Sequence, residues 1–165
     1  MRKLSLLATA LALCGCLGGC ASQSSRREDP KVYQMGEPVK TGGLVYTVLD
    51  TEWFDQLGDP AAPRLPHNHF LAVRISVTNA GSASADVPPL TIVNHQGVVY
   101  SEIADARELP QWLGYLRTVK PAEAVHGRLL FDVPPADYGL KVTDDSALED
   151  RSSATVQMPL ELTHP

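Results

Sequence analysis

Across residues 70–79 the chain alternates side-chain character without a break: Leu71, Val73, Ile75 and Val77 on one side, Ala72, Arg74, Ser76 and Thr78 on the other. A two-residue period sustained this long belongs to a strand with one dry and one wet face. Such a strand needs an apolar partner layer. Residues 125–133 repeat the pattern, with Val125, Leu129, Phe131 and Val133 set against His126, Arg128 and Asp132. Pro134-Pro135 end that run, because neither proline can donate to a ladder. Shorter β-type runs lie at 44–50, 90–94, 98–100, 138–143 and 154–162, separated by Gly, Pro, Asn and Asp. About seven strands with turn signals between them predict an all-β antiparallel sandwich. The 13 prolines in 165 residues disfavour long helices. All three cysteines precede residue 21, so the expected core has no disulfide scaffold and no cysteine-based zinc module.

One segment reads differently. In 104–116, Leu109, Trp112, Leu113 and Leu116 fall at i, i+3, i+4 and i+7, predicting a short helical turn whose Trp112 caps one end of the sandwich as core. Asn79-Ala80-Gly81 is expected to close a strand, with Asn capping the turn and Gly taking positive φ. Lys120-Pro121 is expected to form a strand-to-strand corner.

The N-terminus reads as an address. Arg2 and Lys3 precede an apolar run at 4–13 and then small residues leading to Cys20, the layout of a secretory signal peptide over 1–19. As a helix, ten apolar residues reach about 15 Å, half the hydrocarbon thickness of a bilayer. Leu17-Gly18-Gly19-Cys20 resembles the lipobox of bacterial lipoproteins, which implies that Cys20 becomes the acylated first residue. Leu13-Cys14-Gly15-Cys16 is a weaker match with a bulky Cys where a small residue is preferred, and an unlipidated signal peptide is the third reading. Ala21, where Asp would retain a lipoprotein at the inner membrane, implies the outer membrane, facing the periplasm. Residues 20–35 are assigned to the lipidated Cys and a solvated tether, and 36–165 to the folded domain. Loss of Arg2 and Lys3 deepens the net charge from −5 to −7. With no basic cluster, the chain gives no footprint for nucleic acid.

The string Gly-Gly-Leu-x-Tyr-Thr-Val at 42–48 is followed by Phe70-x-x-Val-x-Ile-x-Val-x-Asn79-x-Gly81, Gly97-x-x-Tyr100 and Lys120-Pro121 through Gly127-x-Leu-x-Phe131-x-Val-Pro134. Together they resemble the secreted immunoglobulin-like family of unknown function common among bacterial lipoproteins. That family is sometimes labelled telomeric repeat-binding factor-like, and its fold is shared with a mycobacterial immunoprotective extracellular antigen. The resemblance covers about residues 36–162 and implies an immunoglobulin-like β-sandwich. It carries over no catalytic residue. The chain departs from the family pattern in its Pro-rich segment 59–66 and its 104–116 insertion.

Candidate chemistry is sparse. His67 and His69 project to one side of an extended segment and could share Zn(II) or Cu(II), with His95, His126, Asp132 or Glu102 as possible further ligands. A solvated pair at a strand start is the plainer reading. No Gly-x-Ser-x-Gly elbow or phosphate-binding glycine loop occurs, and the acidic pairs Asp144-Asp145 and Glu149-Asp150 lie in a loop-like stretch. No cofactor is called for. The expected function is that of a lipid-anchored, non-enzymatic envelope domain that binds another protein. The loop 55–68, with Pro60, Pro63, Pro66, Asp59 and Arg64, is expected to form a stiff exposed tip. A metal or small-ligand binder using His67 and His69 is the alternative.

Overall fold

The computed structural model describes residues 31–143 and 153–160. Residues 1–19, Cys20 and the tether as far as Pro30 lie outside them. Eleven strands follow in order: β1 (Val32–Gln34), β2 (Val39–Thr41), β3 (Leu44–Phe54), β4 (His69–Asn79), β5 (Ala85–Val87), β6 (Thr91–Asn94), β7 (Val99–Ser101), β8 (Arg117–Val119), β9 (Ala124–Val133), β10 (Tyr138–Thr143) and β11 (Ser153–Met158). They form a five-stranded sheet β1-β11-β10-β6-β7, a four-stranded sheet β2-β3-β4-β9 and a ribbon β5-β8. The two larger sheets bury one core between them. Leu44, Val73, Ile75, Leu129 and Phe131 enter it from one side, Ile92, Leu140, Val142 and Val156 from the other. The all-β sandwich therefore stands, with eleven strands among the described residues in place of about seven. β1 falls inside the stretch assigned to the tether and pairs in parallel with β11, so part of that stretch belongs to the sandwich.

Two sequence expectations are overturned on one face. The outer side of the four-stranded sheet is only partly wet, because residues 55–68 and 104–116 fold over it as a roof. Phe70, Ala72 and Leu130 point outward, yet they are buried in a second core with Leu57, Ala106 and Leu109, flanked by Phe54, Ile103 and Trp112. Leu57 and Arg64 exchange backbone hydrogen bonds of 3.0 and 2.8 Å, and Arg64 Nη1 donates to Asp105 O at 2.6 Å. The 55–68 loop is thus drawn back onto the sheet through Leu57 and Arg64, while most of its residues, Asp59 and Pro60 among them, stay exposed as expected.

Segment 104–116 is not helical. Leu109 N donates to Ala106 O and Trp112 N to Leu109 O, which are successive tight turns. Pro110, Gln111 at φ 60° and Gly114 at φ 83° break any continuing helix. The segment instead docks on the edge of β9. Arg128 N donates to Gln111 O at 2.9 Å, Leu113 N to Arg128 O at 3.0 Å and Ile103 N to Leu130 O at 2.8 Å. An open edge is a template for unwanted pairing, and these bonds cover it. Gly127 permits the approach, since a Cβ there would lie 2.9 Å from both Gln111 O and Leu113.

A β-bulge in β3 sets what that face presents. The register with β4 shifts between Val48 and Asp50, leaving Leu49 as an extra residue that is 41% exposed. Beyond it the alternation inverts: Trp53 packs toward the inner core and Phe54 toward the outer one.

Turns behave nearly as read. Asn79 Oδ1 accepts from Gly81 N at 2.8 Å, but Gly81 keeps an ordinary φ; it is favoured because a Cβ would lie 3.1 Å from that same oxygen. Residues 120–123 form the expected corner, with Glu123 N donating to Lys120 O and Ala122 at φ 60° after Pro121. Across the sandwich, Tyr138 Oη donates to Pro134 O at 2.6 Å, and its ring meets Tyr100 edge-on at 5.8 Å. This is the tyrosine-corner device of immunoglobulin-like sandwiches.

Candidate functional site

The His-Asn-His string enters the four-stranded sheet at its corner, where His69 stands opposite Val133 and Phe70 opposite Asp132. Both Asp132 oxygens are already taken: His67 N donates to Oδ2 at 2.7 Å and Asn68 N to Oδ1 at 2.8 Å. Asp132 thus anchors the chain as it enters β4. His69 Nε2 lies 3.7 Å from Asp55, whose side chain is almost fully exposed. His126 stands opposite Ser76, seven residues along β4 from His69, or about 23 Å at the usual strand rise. His95 belongs to the β6–β7 turn of the other sheet. Of the further ligands proposed for His67 and His69, Asp132 is brought beside the string, bonded to its backbone, while His95 and His126 are not. Among the described residues no group of three or more His, Cys, Asp and Glu is arranged for a metal ion.

Glu102 has a different use. It lies buried and pairs with Arg117, whose side chain is 3% exposed, and its Oε2 accepts from Leu90 N at 3.2 Å. Burial pushes the Glu102 carboxyl up and the Arg117 guanidinium down, and each group's attraction for the other opposes that cost. Arg117 Nε also donates to Gly114 O, so the pair ties the roof segment to the β5–β8 ribbon and the start of β6. Its work is structural.

The two outer faces differ in chemistry. On the four-stranded sheet, Asp50, Arg74 and Arg128 are aligned on three neighbouring strands, with Glu52 one row away. A cleft of about 280 Å³ lies there, lined by Leu49, Arg74, Gln111, His126 and Gly127. A second one, of about 400 Å³, lies on the ribbon between Pro88-Pro89 and the 90% exposed Leu116. On the five-stranded sheet the register aligns two outward rows, Val32-Thr155-Lys141-Thr91-Ser101 and Gln34-Gln157-Gly139-Val93-Val99. Lys141 is the one charged residue in the two rows. Neither the cleft at Arg74 nor this uncharged face was anticipated from sequence, because both depend on a bulge or on pairing across distant strands.

A family described as a domain of unknown function (DUF4352) matches residues 33–151. No curated protein matches the chain in sequence. Among solved structures, the yjhA protein of Bacillus subtilis is similar, with 16% identity and a TM-score of 0.60 over 76% of this chain and 98% of that one. A candidate lipoprotein of the same organism, ycdA, has 18% identity and a TM-score of 0.60 over 76% of this chain but 39% of its own. The secreted protein MPT63 of Mycobacterium tuberculosis has 15% identity and a TM-score of 0.51 over 79% and 98%. At these identities the likeness is one of fold.

Proposed function

The chain belongs to the DUF4352 family of β-sandwich domains, and from that premise we propose that it is a non-enzymatic binding module, held in the outer membrane by acyl chains on Cys20, facing the periplasm and docking a protein of the envelope. The observation that carries the binding reading is the outer face of the five-stranded sheet, bare among the described residues. Ten aligned positions there hold one cation and otherwise Thr, Ser, Gln, Gly and Val, on a domain whose net charge is −7 once the signal peptide is lost. Desolvating such a face costs little, since few charges must be stripped of water. Val98 and Val99, 45% and 52% exposed, extend it to the open edge at β7. The matching partner surface is largely uncharged, with an acidic group set for Lys141. The titratable groups support the non-enzymatic reading because they are spent on structure: Asp132 on backbone amides, Glu102 on Arg117, Asp50 on Arg74 and Glu52 on Arg128. The anchor rests on the Leu17-Gly18-Gly19-Cys20 string and Ala21.

Photo-crosslinking in cells tests the docking face. A crosslinking residue at Thr91 or Thr155 should trap one discrete partner, and the same residue at Glu108 on the roof should not. Identical products from both faces end the reading. Labelling with a clickable fatty acid should mark the wild type and spare Cys20→Ser, and equal labelling removes the anchor.

A further inference from the structure

Arg74 and Arg128 stand directly opposite one another on β4 and β9. Like charges in that relation repel across a Cβ separation of about 5 Å. Each is held by one acid. Arg74 Nε donates to Asp50 Oδ2 at 2.8 Å and Nη2 to the same oxygen, while Arg128 Nη2 lies 3.1 Å from Glu52 Oε2. These bonds use two of the five N–H groups of Arg74, leaving the Nη1–Nη2 edge of its guanidinium without a partner among the described residues. The side chain is 46% exposed and forms part of the cleft of about 280 Å³. Both walls of that cleft are built by departures from regular structure: the bulge extrudes Leu49, and the strap docked on β9 brings up Gln111.

We propose that this cleft binds a small carboxylate with a short aliphatic arm, the carboxylate on the open edge of Arg74 and the arm against Leu49. A planar guanidinium fork matches a carboxylate with two parallel hydrogen bonds. Asp50 already fixes the guanidinium, so little side-chain freedom is lost on binding. The anion also offsets the repulsion between Arg74 and Arg128, and Gln111 and His126 offer further polar contacts. The volume falls just below the roughly 300 to 1,000 Å³ of sites for drug-sized ligands, which suits a smaller molecule. Because Asp50 and Glu52 balance the two arginines and the cleft is open, binding is weak, with dissociation constants of roughly millimolar order. A free short-chain acid and a peptide C-terminus with an aliphatic last residue present the same chemistry.

The test is an NMR titration of the purified full chain with N-acetyl-leucine, its amide, and an N-acetylated tripeptide ending in leucine with a free carboxylate. N-acetyl-leucine should shift the backbone amides of Leu49, Gln111 and Gly127 and saturate, and the amide should not. Arg74→Gln should weaken binding about ten-fold or more, and Lys120→Gln at the exposed 120–123 corner should leave it unchanged. Leu49→Ala should weaken N-acetyl-leucine more than acetate. A tripeptide that binds about ten-fold more tightly than N-acetyl-leucine identifies a chain terminus as the ligand, and equal affinity identifies a free acid. Absence of saturable shifts, equal shifts with the amide, or an Arg74→Gln variant with wild-type affinity and a well-dispersed spectrum overturns the proposal.

Discussion

The outer face of the four-stranded sheet is roofed by two loops and carries Asp50, Glu52, Arg74 and Arg128, whereas two full rows on the outer face of the five-stranded sheet lie bare among the described residues, with Lys141 as their single charge. Both faces are the outward half of an ordinary alternation. Among the described connections, what separates them is length. Tight turns such as the one from Asn94 to Gly97 give a sheet nothing to cover itself with. The links after β3 and β7 are long enough to bring apolar side chains back onto the strands. One face therefore gains a small core of its own and a cleft at its margin, and the other is left available to a second molecule.

The sharpest test of this contrast lies at the ion pair joining the roof to the interior. Glu102→Gln leaves a buried guanidinium without its counter-charge and is expected to cost about 3–5 kcal/mol, while the pair Glu102→Leu with Arg117→Met is expected to be nearly neutral. Denaturant unfolding of single and double variants measures it. A single variant as stable as the wild type would show that the roof is held by packing alone. Next comes the roof's own core. Leu130→Ala is expected to lose about 2–5 kcal/mol, whereas Thr155→Ala on the bare face should stay within about 0.5 kcal/mol. Equal effects would erase the distinction between the faces.

Gly127→Ala is expected to cost about 1–3 kcal/mol, because its methyl presses on Gln111 O and Leu113 and lifts the strap from β9. Hydrogen exchange should then quicken at the Leu113 and Arg128 amides before it does in the inner core. Smallest is Tyr138→Phe, with a loss of about 0.5–1.5 kcal/mol from the bond to Pro134. Burial pushes the Tyr138 phenol up to about 12 from an ordinary 10.0. A raised phenol contributes stability that is intact below pH 10 and lost as pH climbs toward 12. The gap between wild type and Tyr138→Phe should therefore narrow over that interval.

Much of the sandwich was legible because alternation is a local signal. Leu71, Val73, Ile75 and Val77 point inward as their spacing requires, and so do Leu129, Phe131 and Val133. The same signal cannot tell water from a roof, so it sets Ala72 on the wet face although the outer core buries it. It also cannot register a one-residue slip. Residues 44–50 look continuous, yet Leu49 is extruded, and with it goes any view of the cleft beside Arg74. The spacing of Leu109, Trp112, Leu113 and Leu116 suits a helix face as well as a chain of turns. In the fold Leu109 enters the outer core, Leu113 reaches the inner one, and Leu116 stands in solvent. Around the histidine string the limit is similar: only the pairing of β4 with β9 reveals that Asp132 accepts from the backbone amides of His67 and Asn68.

In the anchored protein proposed above, the parallel pairing of β1 with β11 is the first contact of the sandwich to meet a pull from Cys20. Its register spans Val32 to Gln34, and parallel ladders are the less stable kind. A pull on residues before Val32 loads those few bonds first, while β11 keeps its hold on β10 through six paired residues. Peeling β1 away adds about 10 Å of slack at the usual strand rise and leaves the sandwich standing. The chain thus has a built-in give at the point where mechanical load enters it.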